Sequence, residues 1–250
     1  MKYLVLCVAL LSCAFASAQS RYTNIDDSTL VDNGSGTGWG SCVDCAGGGN
    51  NNAVIASSPN QNPPSRDGAS RDFYINGAAY SNGLWWYKVG ANDAAANFRF
   101  DFWLNVASNV QAAQALEFDT FQFVNGREYM FGTQCDYASG TWDVWNAGGD
   151  AWVHSRVPCR PFNAGNWYHV TLSFHRTSDG MEHYDGLTLA QYNGRGRLIS
   201  QNMYTFNQTQ PSGTLPPGWG ENLGVQFQMD VGANGATMQE WVDQVSLTAW

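Results

Sequence analysis

From residue 71 onward apolar and polar side chains alternate with a period of two, as expected of strands that bury one face. The pattern predicts strands over 72–75, 84–89, 97–106, 114–123, 129–134, 141–145, 152–157, 167–176, 186–192, 198–206, 223–230 and 240–248. In the third of these, Phe98, Phe100, Phe102 and Leu104 share one side, while Arg99, Asp101 and Trp103 share the other. Likewise Tyr168, Val170, Leu172 and Phe174 oppose His169, Thr171, Ser173 and His175, and Val225, Phe227 and Met229 oppose Gln226, Gln228 and Asp230. Each strand thus has a core face and a face able both to hydrogen-bond and to stack.

Turn-forming pairs separate the strands, among them Asn125-Gly126, Asp179-Gly180, Asn193-Gly194 and Pro217-Gly218. No stretch holds a 3.6-residue period. Many short strands with hairpin-length connections and no helix predict an all-β fold, a two-sheet antiparallel jelly-roll sandwich. The segment 19–70 is rich in Gly, Asn and Ser and reads as irregular, with an edge strand over 23–31 and a loop over 39–52. No linker composition divides residues 19–250, so they are expected to form one domain.

The first residues change the setting. Lys2, the apolar run 4–11 and the small residues ending at Ala18 form a secretory signal peptide over 1–18, and the apolar run is too short to span a membrane. A secreted, extracellular or periplasmic location follows. Losing Lys2 moves the formal charge from −9 to −10. Such a balance disfavours nucleic acid, which is held by basic surfaces, and leaves neutral ligands and cations.

Cys7 and Cys13 leave with the leader. The remaining Cys42, Cys45, Cys135 and Cys159 suit two disulfides in an oxidising compartment, most simply Cys42 with Cys45 and Cys135 with Cys159. A redox Cys-x-x-Cys pair would call for a helix N-terminus, and glycines follow here instead. A four-cysteine zinc site would need a second Cys-x-x-Cys.

Only 13% of residues are charged, so paired carboxylates draw notice. In Ala-Leu-Glu-Phe-Asp-Thr-Phe-Gln (115–122) Glu117, Asp119 and Phe121 share one face, and Leu116, Phe118, Thr120 and Gln122 the other. Carboxylates two residues apart on a strand lie about 6 to 7 Å apart, close enough to raise each other's pKa or share a cation. A plainer expectation is an ion pair with Arg99, Arg127 or a histidine.

This strand resembles one in the concanavalin-A-like lectin and glucanase superfamily. Residues 116–121 match the apolar-Glu-Phe-Asp-Thr-Phe of legume lectins. Glu117 and Asp119 match the first two acids of the laminarinase-type Glu-x-Asp-x-x-Glu, with Gln122 in the third place. The closing Trp-Val-Asp-Gln-Val-Ser-Leu (241–247) is also similar to that superfamily's last strand. The lectin resemblance implies Glu117 and Asp119 as metal ligands with the carbonyl of Phe121; Asn125 and Glu128 stand nearby at altered spacing, so the expectation is no cofactor or a single Ca2+. The glucanase resemblance implies Glu117 as nucleophile and Asp119 as its electrostatic partner. A general acid would then come from Glu128, Asp136, Asp143 or His175, because Gln122 has no acidic proton and points away by alternation.

Aromatic side chains add a ligand class. Sugar rings present apolar C–H faces, and this chain holds 11 tryptophans. Trp85-Trp86-Tyr87 must place a ring on each side of its strand; Trp142, Trp145, Trp152 and Trp219 are candidates, and Trp103, beside Arg99 and Asp101, is the first. The expectation is a secreted glycan-binding protein whose groove gathers Trp103, Arg99, Asp101, Glu117, Asp119, His169, His175, Gln226 and Gln228. A glycan hydrolase or lyase using Glu117, and a structural or adhesive surface protein, are the alternatives.

Overall fold

The computed structural model describes residues 19–34, 36–45, 47, 49 and 52–250. The signal peptide expected over 1–18 lies outside the described residues. Two antiparallel sheets form the jelly-roll sandwich that the alternation predicts. The back sheet runs β14 (Leu198–Pro211), β13 (Met181–Tyr192), β12 (Trp167–Arg176), β6 (Asn97–Val106), β17 (Ala236–Ala249), β4 (Arg71–Gly77), β3 (Val54–Ser58), with β1 (Ser20–Tyr22) also on β17. The front sheet runs β11 (Ala151–Pro158), β10 (Thr141–Asn146), β9 (Thr133–Asp136), β7 (Ala113–Val124), β16 (Asn222–Val231), β5 (Asn82–Gly90), β2 (Thr37–Val43). At one corner β8 (Arg127–Phe131) pairs with β7 and with β15 (Gly213–Thr214). Among the described residues the one helical element is a five-residue 3-10 segment, Ser108–Ala112.

The inward faces are those read from the sequence. Phe98, Phe100, Phe102 and Leu104 of β6 are fully buried, as are Val170 and Leu172 of β12 and Val225, Phe227 and Met229 of β16. Aromatic rings dominate where the sheets meet: Phe227 lies 5.3 Å from Phe102 and 5.2 Å from Phe73 across the sandwich. Trp142, expected as a binding candidate, is instead a core residue packed on Phe118.

The N-terminal part departs from its expectation. Residues 37–43, read as the start of a loop, form edge strand β2, and 54–58 form β3. In 23–31 turns replace the expected strand, apart from an isolated bridge between Val31 and Trp39. Glycine-rich β2 carries no alternation, and its pairing with β5, from Thr37 against Val89 to Val43 against Gly83, is set by the partner strand.

Both expected disulfides form, Cys42–Cys45 and Cys135–Cys159. The second closes a loop of 24 residues that carries β10 and β11. Replacing both of its cysteines by serine should cost about 3 kcal/mol, read as a lower denaturant midpoint. No described helix is long and apolar enough to cross a membrane.

Candidate functional site

The outer face of the front sheet is a groove of about 800 Å³. Its floor follows from strand register. Glu117 of β7 stands opposite Gln228 of β16, and Asp119 opposite Gln226; beyond them Trp86 of β5 faces Gln226. On the other side Trp145 donates its backbone N–H to the Gly132 carbonyl at 2.9 Å, next to Asp119. One line of residues across the strands therefore reads Trp86, Gln226, Asp119, Gly132, Trp145, with Trp152 beyond, opposite Trp145.

Two glycines allow both end rings to lie against the sheet. A Cβ on Gly40 of β2 would overlap the Trp86 ring, and one on Gly132 would come within 2.7 Å of the Trp145 Cβ. At one end Trp219, from the turn before β16, packs 5.6 Å from Trp86 and 5.5 Å from Phe123; at the other Trp145 and Trp152 meet at 5.1 Å. Four interstrand steps of about 4.8 Å separate β5 from β10, so the two aromatic ends stand roughly 19 Å apart over a polar floor.

Amide and backbone donors fix the floor carboxyls. Asp119 accepts from the Thr133 N–H and from Gln226 Nε2, both at 2.8 Å. Gln228 Nε2 donates to Glu117 at 2.6 Å and to Asp230 at 2.9 Å. Burial raises the pKa of Asp119 to about 8, against the pull of its donors. Burial also pushes Glu117 well above the usual carboxyl range, helped by the charges of Asp230 and Asp119. Burial likewise raises Asp230, to about 6, and its side chain shares the Gln228 amide with Glu117.

The expected site residues divide between two surfaces. Glu117, Asp119, Gln226 and Gln228 come together in the groove; Trp103, Arg99, Asp101, His169 and His175 do not, because β6 and β12 belong to the back sheet and turn their polar faces to the opposite side of the sandwich. Both faces of the Trp103 ring are occupied. His169 stacks on it at 4.6 Å from the β12 side, and Arg66, anchored on Asp243 of β17, lies 4.0 Å from its centre. Asp101 is engaged by His169 at 2.8 Å and Thr171 at 2.6 Å, and Arg99 reaches Asp101 at 3.3 Å rather than Glu117. His175 stacks on His183 at 4.3 Å and binds Asp185. Arg127 turns to Ser212. Among the described residues the floor acids have no cationic partner, and the expected ion pair is replaced by amides.

Gln122 behaves as alternation predicts: it points into the sandwich, donates to the Asn92 and Ala95 carbonyls at 2.7 and 3.0 Å, and receives Arg176. Of the other candidate acids Glu128 lines the groove, while Asp136 and Asp143 stand beyond Glu117 on β9 and β10. His154 hydrogen-bonds Asp143 at 2.9 Å, and Asp136, Asp143 and His154 place one ligand atom each within 4.8 Å of one another.

Glu117 and Asp119 supply two carboxyls where Ca2+ takes six or more oxygen ligands, and among the described residues the cluster of three groups able to hold an ion is Asp136, Asp143 and His154 instead. Sequence reading left Asp230 out of the site, although its alternation with Gln226 and Gln228 signals the same face. It also missed Gly40 and Gly132, whose role appears only with the rings above them.

No family model matches the chain, and no curated protein matches it. Solved structures similar to it include arcelin-5, a lectin-like defense protein from Phaseolus vulgaris, with 10% identity and a TM-score of 0.44 over 94% of this chain and 99% of that one. A family 11 carbohydrate-binding module from Clostridium thermocellum, in complex with a β-1,3-1,4-mixed-linked tetrasaccharide, has 15% identity and a TM-score of 0.39 over 92% and 96%. The Emp47p carbohydrate recognition domain has 12% identity and a TM-score of 0.40 over 80% and 89%.

Proposed function

We propose that this protein binds a glycan chain along the front groove, in an oxidising compartment outside the cytoplasm. The observation that carries the reading is the line of residues with tryptophans at both ends and acid and amide groups between them. Rings at the ends offer apolar platforms to sugar C–H faces, and the floor offers donors and acceptors already held in place by their neighbours. Half-buried Trp86, Trp145, Trp152 and Trp219 line the groove and are accessible for stacking, whereas the equally half-buried Trp103 packs with His169 and Arg66 on the opposite sheet. The two disulfides support the location.

A glycan hydrolase is the second reading, because burial holds the Glu117 carboxyl above its usual range on a groove floor, a shift that suits a general acid. Against it, a retaining pair of carboxyls stands about 5 to 5.5 Å apart with the scissile bond between them. The carboxyls next to Glu117 are instead tied to amide donors, Asp119 to Thr133 and Gln226 and Asp230 to Gln228. Binding is therefore favoured.

A panel of plant, algal, fungal and bacterial polysaccharides in affinity electrophoresis tests both readings. At least one should retard the protein, and Trp219→Ala should weaken that interaction by about tenfold, or about 1.4 kcal/mol. Silence across the panel would sink the binding reading. Release of reducing ends that is lost in Glu117→Gln would replace it by hydrolysis.

A further inference from the structure

The groove's charge is one-sided. Its lining includes Glu117, Asp119, Glu128 and Asp150, with Asp230 sharing the Gln228 amide with Glu117, and among the described residues no lysine, arginine or histidine lines it. Lys88 approaches the Trp219 ring at 4.6 Å but is held by Asp32 at 2.8 Å. His154 stands past Asp143, outside the lining. The acids form two groups along the groove: Glu117 and Asp119 at its centre, Glu128 and Asp150 at the end where Trp145 and Trp152 stand.

Burial favours the protonated form of Glu117 and Asp119 in the free protein, and a ligand ammonium seated beside them would favour the ionised form and release protons on binding. A uronate or sulfated glycan would instead bring negative charge to a lining that holds acids and no cationic side chain among the described residues. Indole rings beside the acids add attraction for a cation lying on their faces. We propose that the glycan taken by this groove carries free amino groups, a polymer of amino sugars whose ammonium ions sit over the two acid groups while the ring faces stack on the tryptophans. This rests on the glycan-binding reading above and names the substrate class of that same groove.

The test is calorimetry with three β-1,4-linked pentamers that differ only at the second carbon: glucosamine, N-acetylglucosamine and glucose. The glucosamine pentamer should bind at least tenfold more tightly than the other two, and added salt should shrink the advantage. Glu128→Gln with Asp150→Asn, changes at the groove rim, should cut the advantage to threefold or less. Asp179→Asn, an exposed acid in the turn between β12 and β13, should change nothing. Equal affinity for all three pentamers, or a neutral one preferred, overturns the charge preference and leaves the groove reading standing. An advantage that Asp179→Asn reduces as strongly as the rim variant overturns it as well, since the attraction would then belong to net charge. If no pentamer binds and the polysaccharide panel is silent, both readings fall.

Discussion

Thermal unfolding followed from about pH 4 to about pH 9 should show stability falling as pH rises, and Glu240→Gln should remove a large part of the fall. Glu240 sits on β17 between Met238 and Val242, on the core side of the back sheet, and is fully buried. Neither of its carboxyl oxygens has a hydrogen-bond partner among the described residues, and burial lifts its pKa from 4.5 to about 8. The folded state thus holds a proton that the unfolded chain releases at lower pH. For a group raised in this way the stabilisation is complete below about 4.5 and is lost as pH climbs through about 8. Burial acts in the same direction on Glu182, raised to about 9, and on Asp26, raised to about 7. The combined loss should be on the order of several kcal/mol. Glutamine keeps the shape and carries no ionisation, so the variant's curve should be flatter and cross above the parent's in mild alkali. A Tm that rises from pH 5 to pH 9 would contradict the buried, protonated state of these groups.

The second large effect is expected in the core. Phe227→Ala should destabilise the protein by about 3–5 kcal/mol, seen as a lower denaturant midpoint. Phe227 is fully buried on β16 and meets rings from both sheets: Trp39 and Phe118 of the front, Phe73, Phe100 and Phe102 of the back. Strands on four sides are held by their pairing, so the space left by the ring cannot close cheaply. Met203→Ala, at a side chain 78% exposed on edge strand β14, should change the midpoint little by comparison. A loss below 1 kcal/mol at Phe227 would mean that the sheets can approach each other to fill the gap.

The sequence made the faces of the strands legible and left their neighbours hidden. Alternation placed Phe100, Val170 and Phe227 inward and Glu117, Asp119, Gln226 and Gln228 outward, because side-chain direction is set by position within one strand. The same reasoning turned Gln122 away from Glu117, where the structure has it. Sheet membership is a different kind of information. β6 and β12 carry polar faces as rich as that of β16, yet they pair with each other in the back sheet on the far side of the core, so Trp103 and His169 stand back to back with the groove rather than in it. The resemblance to lectins drew attention to β7, which brings Glu117 and Asp119 to the groove floor. Glycine-rich β2 was illegible because its role is to lie under Trp86, and a residue that works by lacking a side chain leaves no pattern.

The register of β17 bears on how the chain reaches this state. Its residues pair with β4 and β6, and its far end with β1, where Ser20 stands opposite Ala249. The middle of the back sheet is thus assembled from segments at opposite extremes of the described chain, and no local hairpin can stand in for it. Closing such long loops before their contacts form is slow, which places refolding in the millisecond-to-second range or beyond typical of sandwiches with distant pairings. Until β17 docks, β6 and β4 present open edges, so a refolding yield that falls steeply with protein concentration is the practical consequence of that one strand's position.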